Sequence, residues 1–398
     1  MHACKVLQRI FDPVLSELDA RLARNLLSCV DALLAGRRLT LIELARHWAG
    51  AERVSAPLKR VDRLLGNPRM QAARGKIYQV ALAWLLRNPE PVIVVDWSEL
   101  KADGRWHLLR AGLAVCGRTL TLYEEVHPEK DKVSPAVEAA FLKRLSAWMP
   151  ADIKPIIVTD AGFHVPWFRA VAQQGWHWLG RVGGRVQVRA IDTQHQMATP
   201  WRAYKALFTQ ASSIPADLGA HELAASQQWP CRLVLVKRLP KGRTQRRRDG
   251  HRADGGHARK MARRGREPWL LVASPSLEHR SAHQIVALYS KRTQIEQAFR
   301  DLKSHRYGCA FEDTLTRTGA RLEILLMIQM LASLAAWLEG LAQGTAALFA
   351  PSRKLIGRHS IVWLGWHRLA QTARQLCHPP TQLELLLHRL IETANLLA

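Results

Sequence analysis

Along the first 88 residues apolar positions return every three to four residues, as at Val14, Leu18, Leu22 and Leu26. That spacing predicts helices with one buried face. Thr40-Leu-Ile-Glu43 has the pattern of a capping box and opens a short amphipathic segment. Gly50 interrupts it, and Ser55 opens a basic stretch carrying Lys59, Arg60 and Arg63. Short helix, turn, basic helix is the outline of a DNA-binding helix-turn-helix, and the same residues suit a plain helical bundle equally well.

At Pro91 the period changes. Pro91-Val-Ile-Val-Val-Asp96 is an unbroken apolar run, as in a central strand. Residues 108–115 and 119–126 are two more strand-like runs, joined by Cys116-Gly-Arg as a hairpin. Residues 134–149 predict an amphipathic helix capped by Ser134 and closed by Pro150. Pro155-Ile-Ile-Val-Thr-Asp160 is a second apolar strand that again ends in Asp, followed by a helix at 166–174 and a strand at 178–182. From 183 to 275 short β-like runs, at 231–236 and 269–273, frame a Gly-rich segment. That segment, 237–266, carries thirteen Lys or Arg against two acids and reads as a flexible loop. Helical periodicity returns at 281 and continues to the end. The layout is mixed α/β, in five stretches: 1–88, 89–182, 183–275, 276–320 and 321–398.

Charge narrows the function. A formal net charge of +25 calls for a polyanionic partner, and nucleic acid is the commonest. An anionic membrane surface is the rival, but the chain has no basic amphipathic anchor and no lipidation motif. The apolar stretch 324–338 contains Gln329 and is flanked by Arg321, Glu323 and Glu339, so it is expected to be a buried core helix rather than a membrane span. The six Cys are scattered without a C-x-x-C pair, which argues against a zinc ribbon or disulfide scaffold and suits a reducing compartment. The first residues lack the features of a secretory signal, and the protein is expected in the cytoplasm.

Chemistry enters with the acids. Asp96 and Asp160 share a context, each closing a run of β-branched residues, where α/β folds place their sites. Either one alone reads as readily as a strand-end or cap residue. Residues 289–303 predict one helix with Tyr289, Arg292, Glu296, Arg300 and Lys303 on one side and Ile295, Phe299 and Leu302 on an adjoining apolar stripe. Alone, that face could be solvated and held by ion pairs four residues apart. Together, the three carboxylates suit in-line displacement at phosphorus, in which two divalent metals activate the attacking oxygen and stabilise the leaving one. The neighbouring cations would hold a DNA backbone.

The spacing Tyr289-x2-Arg292-x3-Glu296-x6-Lys303 resembles the Y-R-E-K signature of the DDE transposases of the insertion-sequence-four family. Arg60-Val-Asp-Arg-Leu-Leu-Gly-Asn67, Val94-Val-Asp96-Trp-Ser98 and Asp160-Ala-Gly-Phe163 resemble further blocks of that family, in the same order. The resemblance implies an α/β fold: an RNase H-like catalytic core (89–182 and 276–320) interrupted by a β-rich insertion (183–275), with helical N-terminal and C-terminal regions. It implies a triad of Asp96, Asp160 and Glu296 binding two Mg²⁺, with Mn²⁺ able to replace them. Tyr289, Arg292 and Lys303 would grip the element end, Arg300 would join them on the phosphate backbone, and Trp269 would stack on a flipped base. The activity implied is cut-and-paste transposition by a homodimer acting on double-stranded DNA, both terminal inverted repeats and target. Arg246, Arg247 and Arg248 read either as part of a solvated loop or as a phosphate-neutralising arm. The competing functions are a catalytically silent sequence-specific DNA binder, a nuclease without strand transfer, and an RNA-associated protein.

Overall fold

In the computed structural model the described residues are 2–115, 117–192, 197–238, 255–256, 267–305, 308–348 and 360–376. The chain divides into two compact units, one of Met1–Pro155 with Lys291–Ala398 and the other of Ile156–Ser290. The first unit begins with α1 (Ala3–Leu15), α2 (Ala20–Gly36), α3 (Leu41–Arg46), α4 (Ser55–Leu65) and α5 (Pro68–Leu85). Local chemistry sets their ends. The Asp19 carboxylate accepts from the Arg21 and Leu22 amides, Thr40 Oγ1 from Glu43 N, and Asn67 Oδ1 from Met70 N ahead of Pro68. Each such cap contributes about 1 kcal/mol. The box expected at Thr40 is half formed, because the Glu43 carboxylate turns forward to Arg46 at 2.6 Å. Leu18 falls in the link between α1 and α2, where Asp19 restarts the helix, so the periodic run through it is two helices and not one.

Next come three antiparallel strands: β1 (Val92–Glu99), β2 (Trp106–Val115) and β3 (Arg118–Pro128). Gly117 takes φ +90° in the β2–β3 turn, a conformation that favours glycine. The helix α6 (Pro135–Trp148) follows, ending before Pro150 as expected; Ser134 stands at its N-cap, but its side chain makes no capping hydrogen bond.

The second unit holds β4 (Ile156–Val158), α7 (Val165–Gln173), β5 (His177–Arg181), β6 (Gln187–Asp192), the short β7 (Met197–Ala198) and β8 (Arg202–Ala203), β9 (Ala216–Leu223), β10 (Trp229–Val236), β11 (Trp269–Ala273) and α8 (Ala282–Ser290). Within it β4 and β5 are parallel and joined through α7. Antiparallel pairing then runs β5–β11–β10–β9–β6. The runs expected at 231–236 and 269–273 face each other in this ladder, with Val236 opposite Trp269.

The chain returns to the first unit with α9 (Thr293–Lys303), α10 (Gly319–Leu348) and α11 (Ile361–Gln371). Both α9 and α10 pack on β3. A Cβ on Gly365 would come within 1.6 Å of the Ala336 carbonyl oxygen, so only glycine lets α11 cross α10 this closely. The stretch 324–338, taken alone, is too short to span a bilayer comfortably. The helix containing it runs thirty residues, and Gly319–Leu341 is long and apolar enough by composition to cross one. Length therefore does not separate the two readings. Burial bears on it instead, since 94% of the apolar window is covered by the protein itself.

Candidate active site

The apolar run ending at Asp96 is not the end of its strand. β1 continues through Trp97, Ser98 and Glu99, paired to β2 with Asp96 opposite Arg110. What changes at Asp96 is burial: Val92 to Val95 are buried, and Asp96 to Ser98 are half-buried. The carboxylate thus sits where a rigid strand leaves the core, which fixes its position and leaves it reachable.

The single helix expected over 289–303 is two helices. Ser290 Oγ donates back to the Val286 carbonyl at 2.7 Å, and the amides of Gln294 and Ile295 bond three residues back to Lys291 and Arg292. The tighter winding separates α8 from α9. Tyr289 lies in the last turn of the first, and Arg292 is the N-cap of the second.

Ile295, Phe299 and Leu302 are buried as predicted and dock α9 on the sheet, which leaves Glu296 and Arg300 exposed. The Arg292 guanidinium pairs with Glu296 Oε1 at 2.6 Å and lies 3.9 Å from Asp96 Oδ2. Lys303 Nζ donates to Ser98 Oγ at 3.1 Å and to the Glu99 carbonyl at 3.0 Å, tying the end of α9 to the end of β1. Asp96, Ser98, Glu296, Phe299, Arg300 and Lys303 line an open cleft of ≈ 470 Å³. Its donors are hard oxygens, and two carboxylates reach one cation position, now filled by a guanidinium. Such a set suits a divalent metal that keeps part of its water shell.

Asp160 lies in the second unit, two residues beyond β4, with Oδ1 accepting from Gly162 N at 2.7 Å. Trp269 and Tyr289 also lie in that unit and meet edge to face, 5.0 Å between centroids. The Arg238 guanidinium covers a Trp269 face at 4.6 Å and donates to Ser290 Oγ at 3.1 Å. Tyr289 is buried here against the Trp269 ring. Lys59, Arg60 and Arg63 lie on the exposed side of α4, whose other side buries Val61, Leu64 and Leu65. Arg246, Arg247 and Arg248 lie outside the described residues.

Sequence reading missed two features. One is Arg238, which stands at the edge of the basic segment and gave no signal of its own. The other is a buried ion pair beside Asp96: Arg110 Nε donates to Glu124 Oε2 at 2.7 Å, with both side chains essentially inaccessible. Its signal was a lone Arg in one strand of a predicted apolar hairpin and the adjacent Glu124 and Glu125 in the other. A further cluster of metal-ligating types, His2, Cys4 and Asp31, is differently used. Asp31 pairs with Arg374 at 2.6 Å, and burial pushes the Cys4 thiol up to about 12, so the group serves as a pin between the two ends of the first unit.

Comparison with known families matches the transposase DDE domain over residues 87–335, which is more than half of the chain. The protein belongs to that family, and its substrate is accordingly DNA. A search among curated proteins found no significant match.

Proposed function

We propose that this transposase is a member of the insertion-sequence-four group, similar to the transposase of the insertion sequence flanking transposon ten, with an RNase H-like core. It performs cut-and-paste transposition with Asp96, Asp160 and Glu296 as metal-binding triad. The observation that carries this reading is the convergence of Asp96 and Glu296 on one cation position in an open cleft. Two Mg²⁺, or Mn²⁺ in their place, would be held by the three carboxylates and supply charge neutralisation at the attacking and leaving oxygens.

The chain's own groups do the rest. Arg292 leaves Glu296 for a DNA phosphate, exchanging one charge-assisted pair for another. Lys303 keeps α9 in register with β1, and Arg300 faces the backbone of the bound end. Water attacks phosphorus as the bond to the 3′-oxygen breaks, and the 3′-oxygen leaves as a hydroxyl. That hydroxyl attacks the opposite strand, displacing the 3′-oxygen of the flanking DNA and closing a hairpin. A second water opens the hairpin and regenerates the 3′-hydroxyl, which then attacks the target and displaces a 3′-oxygen there. Trp269 offers its face to the base flipped out at the hairpin, with Arg238 moving aside. α4 contributes Lys59, Arg60 and Arg63 to recognition of the terminal repeats. The working form is a homodimer pairing two ends, in the cytoplasm.

The test is alanine substitution of Asp96, Asp160 and Glu296 in turn. Each should abolish cleavage of end-bearing DNA while leaving end binding intact by gel shift. Retained cleavage would remove that residue from the triad.

A further inference from the structure

We propose that the buried Arg110–Glu124 pair is a positioning device for Asp96: Glu124 engages the Arg110 guanidinium, which keeps Arg110 from competing with a divalent cation for the Asp96 carboxylate. The inference rests on the reading of Asp96 as a metal ligand.

Asp96, Arg110 and Glu124 stand directly opposite one another on β1, β2 and β3. Residues so paired share a face of the sheet, with Cα atoms about 5 Å apart. The row therefore alternates negative, positive, negative. Arg110 and Glu124 are 1% and 0% exposed and 2.6 Å apart at closest approach. Glu124 is held in turn by Tyr78, whose hydroxyl donates to Oε1 at 2.7 Å. Burial, and then the Glu124 charge, push the Tyr78 pKa well above its ordinary value, so the phenol stays a donor. Arg74 donates to the Glu124 carbonyl at 2.7 Å, which fixes the backbone beneath.

On its other side Arg110 lies against the ring of Phe299, 5.4 Å from its centroid, and that ring also lines the acid cleft. Its remaining acceptor among the described residues is the neutral Gln329 Oε1, at 3.5 Å. Without the Glu124 charge, the buried guanidinium has Asp96 as its anionic cross-strand neighbour among the described residues, while Asp301, which lines the same cavity as Arg110, is already paired with Arg118. A charge-assisted pair outcompetes the amide, and Asp96 would then be committed to Arg110. A pair that served only to hold the fold could be replaced by apolar residues with no effect on what Asp96 binds.

The experiment is Mn²⁺ titration of the full chain by calorimetry, with thermal unfolding on the same samples. Glu124→Gln keeps the shape and the Tyr78 contact, and it should weaken Mn²⁺ binding by about tenfold, the lower end for a charge placed beside a carboxylate. Arg110→Met with Glu124→Gln removes both charges and should return the affinity to within about threefold of the wild type. Should the single variant not fold, the double variant still decides, since poor Mn²⁺ binding by a folded double variant overturns the proposal. Unchanged affinity in a folded Glu124→Gln protein also overturns it. Asp96→Asn separates the two levels of the argument. If it binds Mn²⁺ as the wild type does, or if the wild type binds none, the ligand reading of Asp96 falls and this proposal with it. If only Asp96→Asn weakens binding, the ligand reading stands and the positioning role is lost.

Discussion

The sheet of the first unit carries the same kinds of side chain in two settings. At Arg110 and Glu124, guanidinium and carboxylate are buried together, with a phenol completing the carboxylate's partners. At Asp96 and Glu296, on the neighbouring strand and the helix above it, two carboxylates flank one guanidinium in an open cleft, Glu296 at 2.6 Å and Asp96 at 3.9 Å. The first arrangement cannot exchange partners without leaving a buried charge bare. The second lies in a cleft open to water, where a change of partner would not strand a buried charge. Burial, more than residue type, therefore separates the structural charges from the candidate catalytic ones.

The largest effect that could break this contrast is on stability. Arg110→Met leaves the Glu124 carboxylate buried and uncompensated and should cost roughly 3–5 kcal/mol in denaturant unfolding. Asp96→Asn should change stability by no more than about 1 kcal/mol, as expected of a partly exposed carboxylate at the rim of a cleft. Equal losses in the two variants would erase the distinction.

A second buried carboxylate sharpens it through pH. Burial alone would raise Glu125, but hydrogen bonds from His127, Arg144 and Tyr123 outweigh it and hold the pKa at about 2, below its ordinary 4.5. A carboxylate lowered by folding stabilises above the unfolded value, and that stability is lost as pH falls from about 4.5 toward 2. Compared at neutral pH, Glu125→Gln should be less stable by roughly 3 kcal/mol, and the gap should close in acid. A gap independent of pH would show that the charge of Glu125 is not what holds β3 to α6.

Smaller effects belong to the rim of the cleft. Lys303→Met removes two hydrogen bonds between α9 and β1 and should cost about 1 kcal/mol, discounted for partial exposure. Smallest in stability is the triple alanine variant of Lys59, Arg60 and Arg63, within about 0.5 kcal/mol of the wild type. That variant should nevertheless flatten the salt dependence of DNA binding, by about 0.9 in log–log slope for each phosphate that is no longer neutralised. An unchanged slope would place α4 away from the DNA.

Much of this was legible in the sequence. The apolar runs marked β1, β2 and β3, and the stripe of Ile295, Phe299 and Leu302 marked the buried side of α9. What escaped shares one cause, that period and run length do not report hydrogen bonding. β1 continues past Asp96 because β2 supplies partners for Trp97, Ser98 and Glu99, although none of them extends the apolar run. The break between α8 and α9 is invisible to a 3.6-residue period, which continues across Ser290 to Thr293 while the backbone winds more tightly. Leu18 kept the helical spacing although Asp19 had already begun a new helix. Arg110 and Glu124 looked like interruptions of apolar strands until the register set them opposite each other.

The most direct measurement is cleavage of DNA bearing the terminal repeats that flank this coding sequence, with Mg²⁺ or Mn²⁺, by the wild-type protein beside Glu296→Ala. The account predicts metal-dependent cuts at the repeat ends by the wild type and none by Glu296→Ala, with both proteins binding the DNA. Equal cleavage by the two proteins, or cleavage that persists in chelator, would contradict it.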